Sequence, residues 1–235
     1  MDFGPRYAIY FVPSADSALY RFGSSVLGYD CYTGETVPYS AELACQAPSW
    51  ARMVEESRRY GFHATLKAPF YVLPACTQAH LIDAFESFAI SERQTPTIVP
   101  VIELLGDFAA VLPRDSESAI DALAARCTTV FDVFRAPLSA HERARRMAAG
   151  LSQTQIRNLD RWGYPYAFSD FRFHMTLTGR ITPAARARTL AALRRSFEGL
   201  CGYQTIAIDR LVLLKQDAAQ PNFRVLSLAR LIADQ

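Results

Sequence analysis

Apolar and polar residues alternate strictly in two well-separated stretches of this chain. In the first stretch, YGFHATLKAPF (60–70), the apolar set comprises Tyr60, Phe62, Ala64, Leu66, Ala68 and Phe70. In the second stretch, FRFHMTLTGR (171–180), the equivalent set is Phe171, Phe173, Met175, Leu177 and Gly179. Because side chains along a β-strand point to opposite faces with period two, each stretch predicts a strand with one face in the core.

Around these two strands the pattern predicts the same order of elements in both halves of the chain. In each half, the strand is followed by a helix and then by a hairpin of two further strands. The first half has its helix at 77–88 and its hairpin strands at 95–105 and 108–113, joined at Gly106-Asp107. The second half has its helix at 183–197 and its hairpin strands at 203–216 and 222–231. This repeated order predicts an internal pseudo-symmetry.

The remaining segments complete a predicted α+β fold. They are a strand at 6–13, a helix capped by Ser14 or Asp16 that runs towards Tyr29, an ordered surface loop at about 31–48, and helices at about 50–60 and 116–134. We expect two pseudo-symmetric lobes of antiparallel sheet with flanking helices around a central cleft. The lobes would form a single bilobal domain over residues 1–235, with a first half of about 1–115 and a second half of about 116–235.

The composition is typical of a folded, nearly neutral protein. Of the 235 residues, 50% are hydrophobic, which is enough for one core. The 25 basic and 23 acidic residues leave a formal net charge of +2, which excludes a strongly basic nucleic-acid coat and a disordered chain. The sequence starts without the pattern of a signal peptide and has no apolar run of about 18 residues, so we expect a cytoplasmic protein without a membrane span.

The five cysteines predict neither a disulfide framework nor a zinc site. Their number is odd, and no two of them form a C-x-x-C pair. We therefore expect reduced, mostly buried thiols at Cys31, Cys45, Cys76, Cys127 and Cys201.

The polar faces of the two predicted strands carry the candidate chemistry. His63 and Thr65 share the polar face of the first strand, and His174 and Thr176 share that of the second. If the pseudo-symmetry brings these faces together across a cleft, one imidazole can deprotonate an attacking water while the other protonates a leaving alkoxide. The threonine hydroxyls would bind the non-bridging oxygens of a phosphate. The pattern thus predicts acid–base cleavage of a phosphodiester, which requires no metal and no other cofactor.

Cationic and aromatic side chains near these motifs are candidates for binding the substrate. Lys67 extends the polar face of the first strand, and Arg172 and Arg180 lie on that of the second. Their charges would offset the negative charge of a phosphate. Tyr164 and Tyr166, shortly before the second strand, could stack on a base or a sugar or could simply pack. The other two histidines, His80 and His141, fall in predicted helices and are interpreted as surface residues.

The motifs HATL (63–66) and HMTL (174–177) resemble the paired His-x-Thr/Ser motifs of the two-histidine (2H) phosphoesterases. The resemblance extends to the trailing leucine of each motif and to the doubled order of elements over most of the chain. It implies that His63 and His174 are the acid and the base, and that Thr65 and Thr176 bind the phosphate. That family includes RNA 2′,3′-cyclic phosphodiesterases, 2′-5′ RNA ligase-like proteins and nucleotide cyclic phosphodiesterases.

The longer strings RYGFHATLKAPF and FRFHMTLTGR look more specifically like a poorly characterised bacterial branch of that family, whose genes often lie beside genes for phosphonate use. This likeness implies a small phosphorylated substrate, namely a cyclic nucleotide or a ribose phosphate. The end of an RNA chain is an alternative substrate. The chain departs from the RNA-acting members at Phe173, where proline is frequent, and in an insert between Cys31 and Arg59. No protein partner can be inferred from the sequence.

The segment RMAAGLSQTQIRNLDRWGYP (146–165) supports an alternative function. Its small residues and a predicted capping box of Ser152 with Gln155 loosely resemble a DNA-binding helix-turn-helix. Arginines in and near the segment would attract phosphates, namely Arg143, Arg145, Arg146, Arg157 and Arg161. A nucleic-acid-binding module is therefore one alternative, and a protein that binds a phosphorylated ligand without turning it over is another. The same segment could instead form a helical lip beside the cleft.

Overall fold

The computed structural model describes residues 4–44 and 47–232. Seven of its strands form one antiparallel sheet. The described residues contain nine strands, seven of which form this sheet; the nine are β1 (Arg6–Phe11), β2 (Ala64–Tyr71), β3 (Thr97–Ile98), β4 (Pro100–Leu105), β5 (Phe108–Pro113), β6 (Met175–Thr176), β7 (Ile206–Ala207), β8 (Arg210–Gln216) and β9 (Arg224–Arg230). The α-helices are α1 (Ala18–Leu27), α2 (Ala41–Ala44), α3 (Ala47–Arg58), α4 (Gln78–Ser91), α5 (Ser118–Val130), α6 (Ala140–Met147), α7 (Gln153–Trp162) and α8 (Arg186–Leu200).

The order of strands in the large sheet is β4-β5-β6-β2-β1-β8-β9, while β3 and β7 form a separate pair. The predicted mixture of helices with antiparallel sheet is confirmed. The two halves of the chain do not build separate sheets, however, because β6 from the second half is inserted between β5 and β2 from the first. Strands of both halves therefore share one sheet, and the repeated order of elements does not appear as two separate lobes.

The sheet is narrowest at β6, which is much shorter than the strand predicted at 171–180. It pairs with β2 at Ala64 and Met175 alone, and with β5 at two residue pairs. The backbone leaves the ladder after Thr176: the Thr178 hydroxyl accepts the N–H of Ala109, and the N–H of Gly179 donates to the Met53 carbonyl. These bonds satisfy polar groups that a longer strand would have paired within the sheet.

The predicted core faces of the two alternating stretches are confirmed. Of the apolar set in the first stretch, Phe62, Ala64, Leu66, Ala68 and Phe70 are buried, whereas Tyr60 is half-buried. In the second stretch the buried residues are Phe171, Phe173, Met175 and Leu177. Both sets belong to one continuous hydrophobic core or pack against it, so the core fixes which face of each strand carries the histidine and the threonine.

Several local predictions need correction. The N-cap of α1 is Ser17, whose hydroxyl accepts the N–H of Tyr20, and not Ser14 or Asp16. The segment predicted as a loop at 31–48 contains α2 and the start of α3. The thiols of Cys31 and Cys127 are buried, those of Cys76 and Cys201 are half-buried, and all four are free, whereas Cys45 lies outside the described residues. No helix in the described part of the chain combines the length and the apolar character that a bilayer crossing needs.

Helix α1 packs so closely on the residue before His63 that it tolerates no side chain at Gly23. A Cβ atom there would lie 2.0 Å from Cγ of the Phe62 ring. We expect Gly23→Ala to lower the free energy of unfolding by about 1–3 kcal/mol, the usual cost of overpacking a core. Urea denaturation followed by circular dichroism measures this change.

Gly199 provides a matched control, because it is also helical but has no atom within 4 Å of a Cβ position. Gly199→Ala is expected to be neutral or to stabilise by up to about 1 kcal/mol. Equal effects of the two substitutions would contradict the close packing of α1 on Phe62.

Candidate active site

The two His-x-Thr motifs lie side by side on neighbouring strands. Ala64 pairs with Met175 in antiparallel register, so His63 lies opposite Thr176, and Thr65 lies opposite His174. The four side chains alternate with the buried pair and therefore share one face of the sheet. The sequence predicted that the motifs face each other across a cleft, whereas they are adjacent within one sheet, where side chains on opposite residues are roughly 5 Å apart.

Both imidazoles are oriented in the same way by the backbone. Nδ1 of His63 is 2.9 Å from the carbonyl oxygen of Gly61, and Nδ1 of His174 is 2.7 Å from that of Arg172. A carbonyl oxygen can only accept, so each Nδ1 carries the proton and donates it. In the neutral rings Nε2 is therefore the basic nitrogen, and each Nε2 gains a proton when its ring becomes charged.

The surroundings of the two imidazoles differ. The His63 ring stacks on the Tyr10 ring at a centroid distance of 3.8 Å, and its Nε2 accepts a hydrogen bond of 3.2 Å from the Thr65 hydroxyl. The His174 ring lies 5.8 Å from the Phe108 ring at a tilt of 55°. The two histidines thus share a tautomer but not an environment.

Burial lowers the pKa of both rings. It lowers the pKa of His63 to about 4, although the Gly61 carbonyl acts in the opposite direction, and the nearby His174 lowers it further. Burial also lowers the pKa of His174, again against its carbonyl partner, Arg172. Both rings are consequently neutral at pH 7.

Two cavities meet at the motifs and share Thr65, Tyr164 and Tyr166 as lining residues. The first, of ≈ 360 Å³, is called the His174 cavity, and its wall is largely aromatic: it includes His174, Phe108, Phe168, Phe171 and Arg172. The second, of ≈ 400 Å³, is called the His63 cavity, and its wall is cationic: it includes His63, Thr176, Arg6, Arg145 and Arg146. A phosphate between the threonines would thus have an apolar space on one side and a basic space on the other.

Phe168 in the wall of the His174 cavity has an unusual backbone conformation. Its φ angle is 55°, in the left-handed region that bulky residues rarely adopt. The ring lies 5.3 Å from that of Trp162 at the end of α7.

The predicted helical lip reaches the cavities only in part: Arg145 and Arg146 of α6 line the His63 cavity, whereas α7 itself lines neither, and Tyr164 and Tyr166 after α7 line both. The predicted capping box of Ser152 with Gln155 is confirmed, and the lip ends in Tyr164 and Tyr166, with Tyr166 41% exposed. Among the arginines considered for nucleic-acid contact, Arg143 pairs with Asp160 at 2.6 Å and Arg161 pairs with Asp132 at 3.7 Å; Arg145 and Arg146 line the His63 cavity. The fifth, Arg157, is exposed and donates to the Thr154 hydroxyl, so these charges are divided among intramolecular ion pairs, the His63 cavity and the surface.

Lys67 is placed away from the site by α5, which covers β2 beyond Thr65. Its side chain is only 3% exposed, and its ammonium donates to the carbonyl oxygen of Thr128 at 2.9 Å and pairs with Asp132 at 3.5 Å. Burial lowers the pKa of Lys67 to about 8, and Asp132 acts against that shift. Because Arg135 and Arg161 bind the same carboxylate, Lys67 ties β2 to the end of α7 rather than lining either cavity.

The two predicted arginines are also placed differently from each other. Arg172 lines the His174 cavity, and its Nη1 donates to the carbonyl oxygens of Ser169 and Phe171. The side chain of Arg180 is 90% exposed and pairs with Asp107 at 3.0 Å. Of these two cations, Arg172 is therefore the one positioned at the candidate site.

Sequence reasoning missed the side chains that β1 brings to the site. Tyr10 is paired with Thr65 in the register of β1 with β2, and Arg6 lies four residues earlier on the same strand. Their spacing of four along a strand places both on one face, but only the pairing of β1 with β2 shows that this face is the one with His63. Tyr60 joins them in the wall of the His63 cavity.

The chain is similar to a family of unknown function and to curated proteins from two bacteria. The family described as "Protein of unknown function (DUF1045)" matches residues 65–224. A protein of Janthinobacterium sp. (strain Marseille), named ribose 1,5-bisphosphate phosphokinase PhnN, is 35% identical over 216 residues, which are 90% of this chain and 48% of that protein. A protein of the same name from Laribacter hongkongensis (strain HLHK9) is 30% identical over 234 residues, 97% of this chain and 52% of that protein. The chain spans about half the length of these curated relatives.

Among solved structures, a conserved protein of unknown function, ATU0111 from Agrobacterium tumefaciens str. C58, matches with a TM-score of 0.44 and 13% sequence identity. The match covers 96% of this chain and 85% of that one.

Proposed function

Because this chain belongs to the DUF1045 family, whose function is unknown, we propose a function from its own side chains. The chain would be a phosphodiesterase that hydrolyses a cyclic or small phosphodiester, of a nucleotide or a ribose phosphate, by acid–base catalysis with two histidines and no metal. The observation that carries the proposal is the pairing of two His-x-Thr motifs on one sheet face, with Nδ1 of each imidazole bound to a backbone carbonyl. The resemblance to the 2H phosphoesterases supports the same reading.

In the proposed reaction, water attacks phosphorus and one bond from phosphorus to an ester oxygen breaks. Nε2 of His63 takes the proton of the attacking water, because the low pKa of this ring keeps it neutral and available as a base. Nε2–H of protonated His174 gives its proton to the departing alkoxide. The product is an alcohol and a phosphomonoester, and the two rings return to their starting states by exchanging protons with solvent.

The threonines and arginines would bind the reacting phosphate. The hydroxyls of Thr65 and Thr176 lie beside the histidines and can donate to the non-bridging oxygens, where negative charge develops in the transition state. Arg172 in the His174 cavity and Arg146 in the His63 cavity would offset that charge from the two sides. Tyr166 stands between the cavities, where its exposed ring can stack on a sugar or a base.

The names of the relatives suggest a ribose phosphate as the substrate class. We do not extend the named phosphokinase activity to this chain, which spans only half of those proteins. The two lysines, Lys67 and Lys215, do not occur in the G-x-x-x-x-G-K-[ST] sequence by which a P-loop binds nucleotide phosphates. A phosphorylated pentose as substrate and hydrolysis as chemistry are therefore proposed together.

Hydrolysis of adenosine 2′,3′-cyclic phosphate in EDTA, followed by chromatography from pH 3.5 to 8, tests the proposal. We expect activity in EDTA, because both proton transfers are assigned to side chains. The base must be unprotonated, so kcat/KM should rise with pH through the pKa of His63, about 4. The acid must be protonated, so kcat/KM should fall as pH passes the pKa of His174, which lies below its ordinary value of 6.5. The maximum is expected between these two values.

Circular dichroism at each pH serves as the control, since it separates the loss of a proton donor or acceptor from unfolding. Failure to hydrolyse any nucleoside 2′,3′-cyclic or ribose 1,2-cyclic phosphate, or loss of activity in EDTA, would reject metal-independent hydrolysis by this site.

A further inference from the structure

A third cavity adjoins the His63 cavity and continues its basic wall. This outer cavity has a volume of ≈ 890 Å³, and it shares Arg6 and Arg145 with the His63 cavity. Arg59 and His141 also line it. Three guanidinium groups and an imidazole thus line a space that shares two of its arginines with the His63 cavity.

These guanidinium groups have no carboxylate partner in the described parts of the chain. Neither Arg6, Arg59 nor Arg145 forms an ion pair there, whereas Arg126, Arg143 and Arg180 on other surfaces each do. Arg6 is instead held by the side-chain oxygen of Gln216, at 2.8 Å from Nε, and by the ring of Phe223, 5.4 Å from its Cζ. Arg6 is therefore fixed in place without being neutralised.

The acidic side chains that line the outer cavity are already engaged. Asp217 pairs with Lys215 at 2.8 Å, and Glu142 accepts the backbone N–H of Ser139 at 3.2 Å in the capping box of α6. The cavity therefore retains an excess of positive charge, and such a concave cationic surface attracts anions.

Arg6 and Arg145 line the same cavity as His63 and Thr176. Tyr10 stacks on His63, and Arg6 precedes Tyr10 by four residues on β1, which is about 13 Å between Cα atoms at about 3.3 Å per residue. The side chains of Arg6 and Arg145 extend back into the His63 cavity. A ligand of the size of a sugar phosphate in this cavity of ≈ 400 Å³ can therefore contact both Thr176 and these arginines.

We infer that Arg6 and Arg145 form a subsite for a second phosphate of the substrate, a terminal monoester on the sugar whose other phosphate lies between the histidines. This inference rests on the proposed function for the position of the reacting phosphate. A monoester carries nearly two negative charges at neutral pH, and guanidinium groups bind such oxygens with two parallel hydrogen bonds. The substrate class is thus a phosphorylated pentose that carries a cyclic phosphodiester.

Binding of stable ligands tests the subsite without requiring turnover. Isothermal titration calorimetry would compare adenosine 3′-phosphate with adenosine 3′,5′-bisphosphate on the full chain. We expect the bisphosphate to bind about 10- to 100-fold more tightly, the range for hydrogen bonds to a charged group. Arg145→Gln and Arg6→Gln should each reduce that ratio severalfold, while Arg157→Gln, an exposed residue of α7 outside these cavities, removes the same charge and should leave the ratio unchanged.

The dinucleotide ApAp distinguishes a small substrate from an RNA end, since one of its phosphates is a singly charged diester. We expect it to bind more weakly than the bisphosphate, and the reverse order would overturn the inference. The inference would also be overturned if the wild type bound the bisphosphate less than about twofold more tightly than the monophosphate, or if it bound neither adenosine ligand. It would likewise be overturned if both arginine variants kept the wild-type ratio of the two affinities. Tighter binding of the bisphosphate with no hydrolysis of any cyclic phosphate would retain the subsite and reject the proposed catalysis.

Discussion

Replacing either histidine of the site with alanine is expected to lower kcat on adenosine 2′,3′-cyclic phosphate by about 10²- to 10⁴-fold, the usual contribution of one general acid or base. His63→Ala removes the nitrogen that would deprotonate water, and His174→Ala removes the proton for the departing alkoxide. Both rings are partly exposed at the cavity wall, so the fold should persist. Initial rates by chromatography, with thermal unfolding measured by circular dichroism, check both expectations.

A nitrophenyl phosphodiester separates the two roles, because its leaving group departs without a proton. On such a substrate the activity of His174→Ala should approach that of the wild type, whereas the activity of His63→Ala should remain far below it. His80→Ala is the matched control, since His80 is exposed on α4, and its activity should remain within about twofold of the wild type on both substrates. Full activity of either site variant on the cyclic phosphate would reject two-histidine catalysis, and recovery of His63→Ala alone would reverse the roles.

The elements of the fold with strong local patterns were predictable from the sequence. The alternation around His63 and His174 identified both core faces correctly, and the Gly106-Asp107 turn identified the hairpin of β4 and β5. These features depend on residues within a few positions of each other. Local pattern and global structure agree there, which is why a single sequence was sufficient.

The arrangement of the site depended on long-range contacts that the sequence does not display. The insertion of β6 between β5 and β2 places the motifs on adjacent strands, and no local pattern specifies that neighbour. Lys67 alternates with the site residues in sequence, but the register of β2 with β1 shifts between Thr65 and Lys67, and the Lys67 side chain is buried on Thr128 and Asp132. Conversely, Arg6 joins the site through the pairing of β1 with β2.

The two motifs are equivalent in sequence but their histidines have different surroundings. These surroundings provide a physical basis for one histidine to act as the base and the other as the acid. Each Nδ1 donates to a carbonyl two residues earlier, so the local chain sets both tautomers. Stacking on Tyr10 and burial then act on His63 more strongly than on His174. Two imidazoles of the same four-residue motif can thus take different roles.

Removing either threonine hydroxyl without changing the shape of the side chain should have the next largest effect. Thr65→Val and Thr176→Val are each expected to lower kcat/KM by about 10²- to 10³-fold, the usual loss for one donor to a developing oxyanion. The hydroxyls lie opposite the histidines on one sheet face, where both can reach the same phosphate. Steady-state kinetics on the cyclic phosphate measures the loss.

Serine at the same positions distinguishes the loss of a donor from a disturbed sheet. Thr65→Ser and Thr176→Ser keep the hydroxyl and should recover most of the activity, although serine has a lower preference for strands. Thr129→Val is the control for the substitution itself, because Thr129 is exposed on α5 and its hydroxyl donates only within its own helix. If valine and serine variants lost the same activity, the threonines would act by supporting β2 and β6, and the phosphate-binding role assigned to their hydroxyls would be wrong.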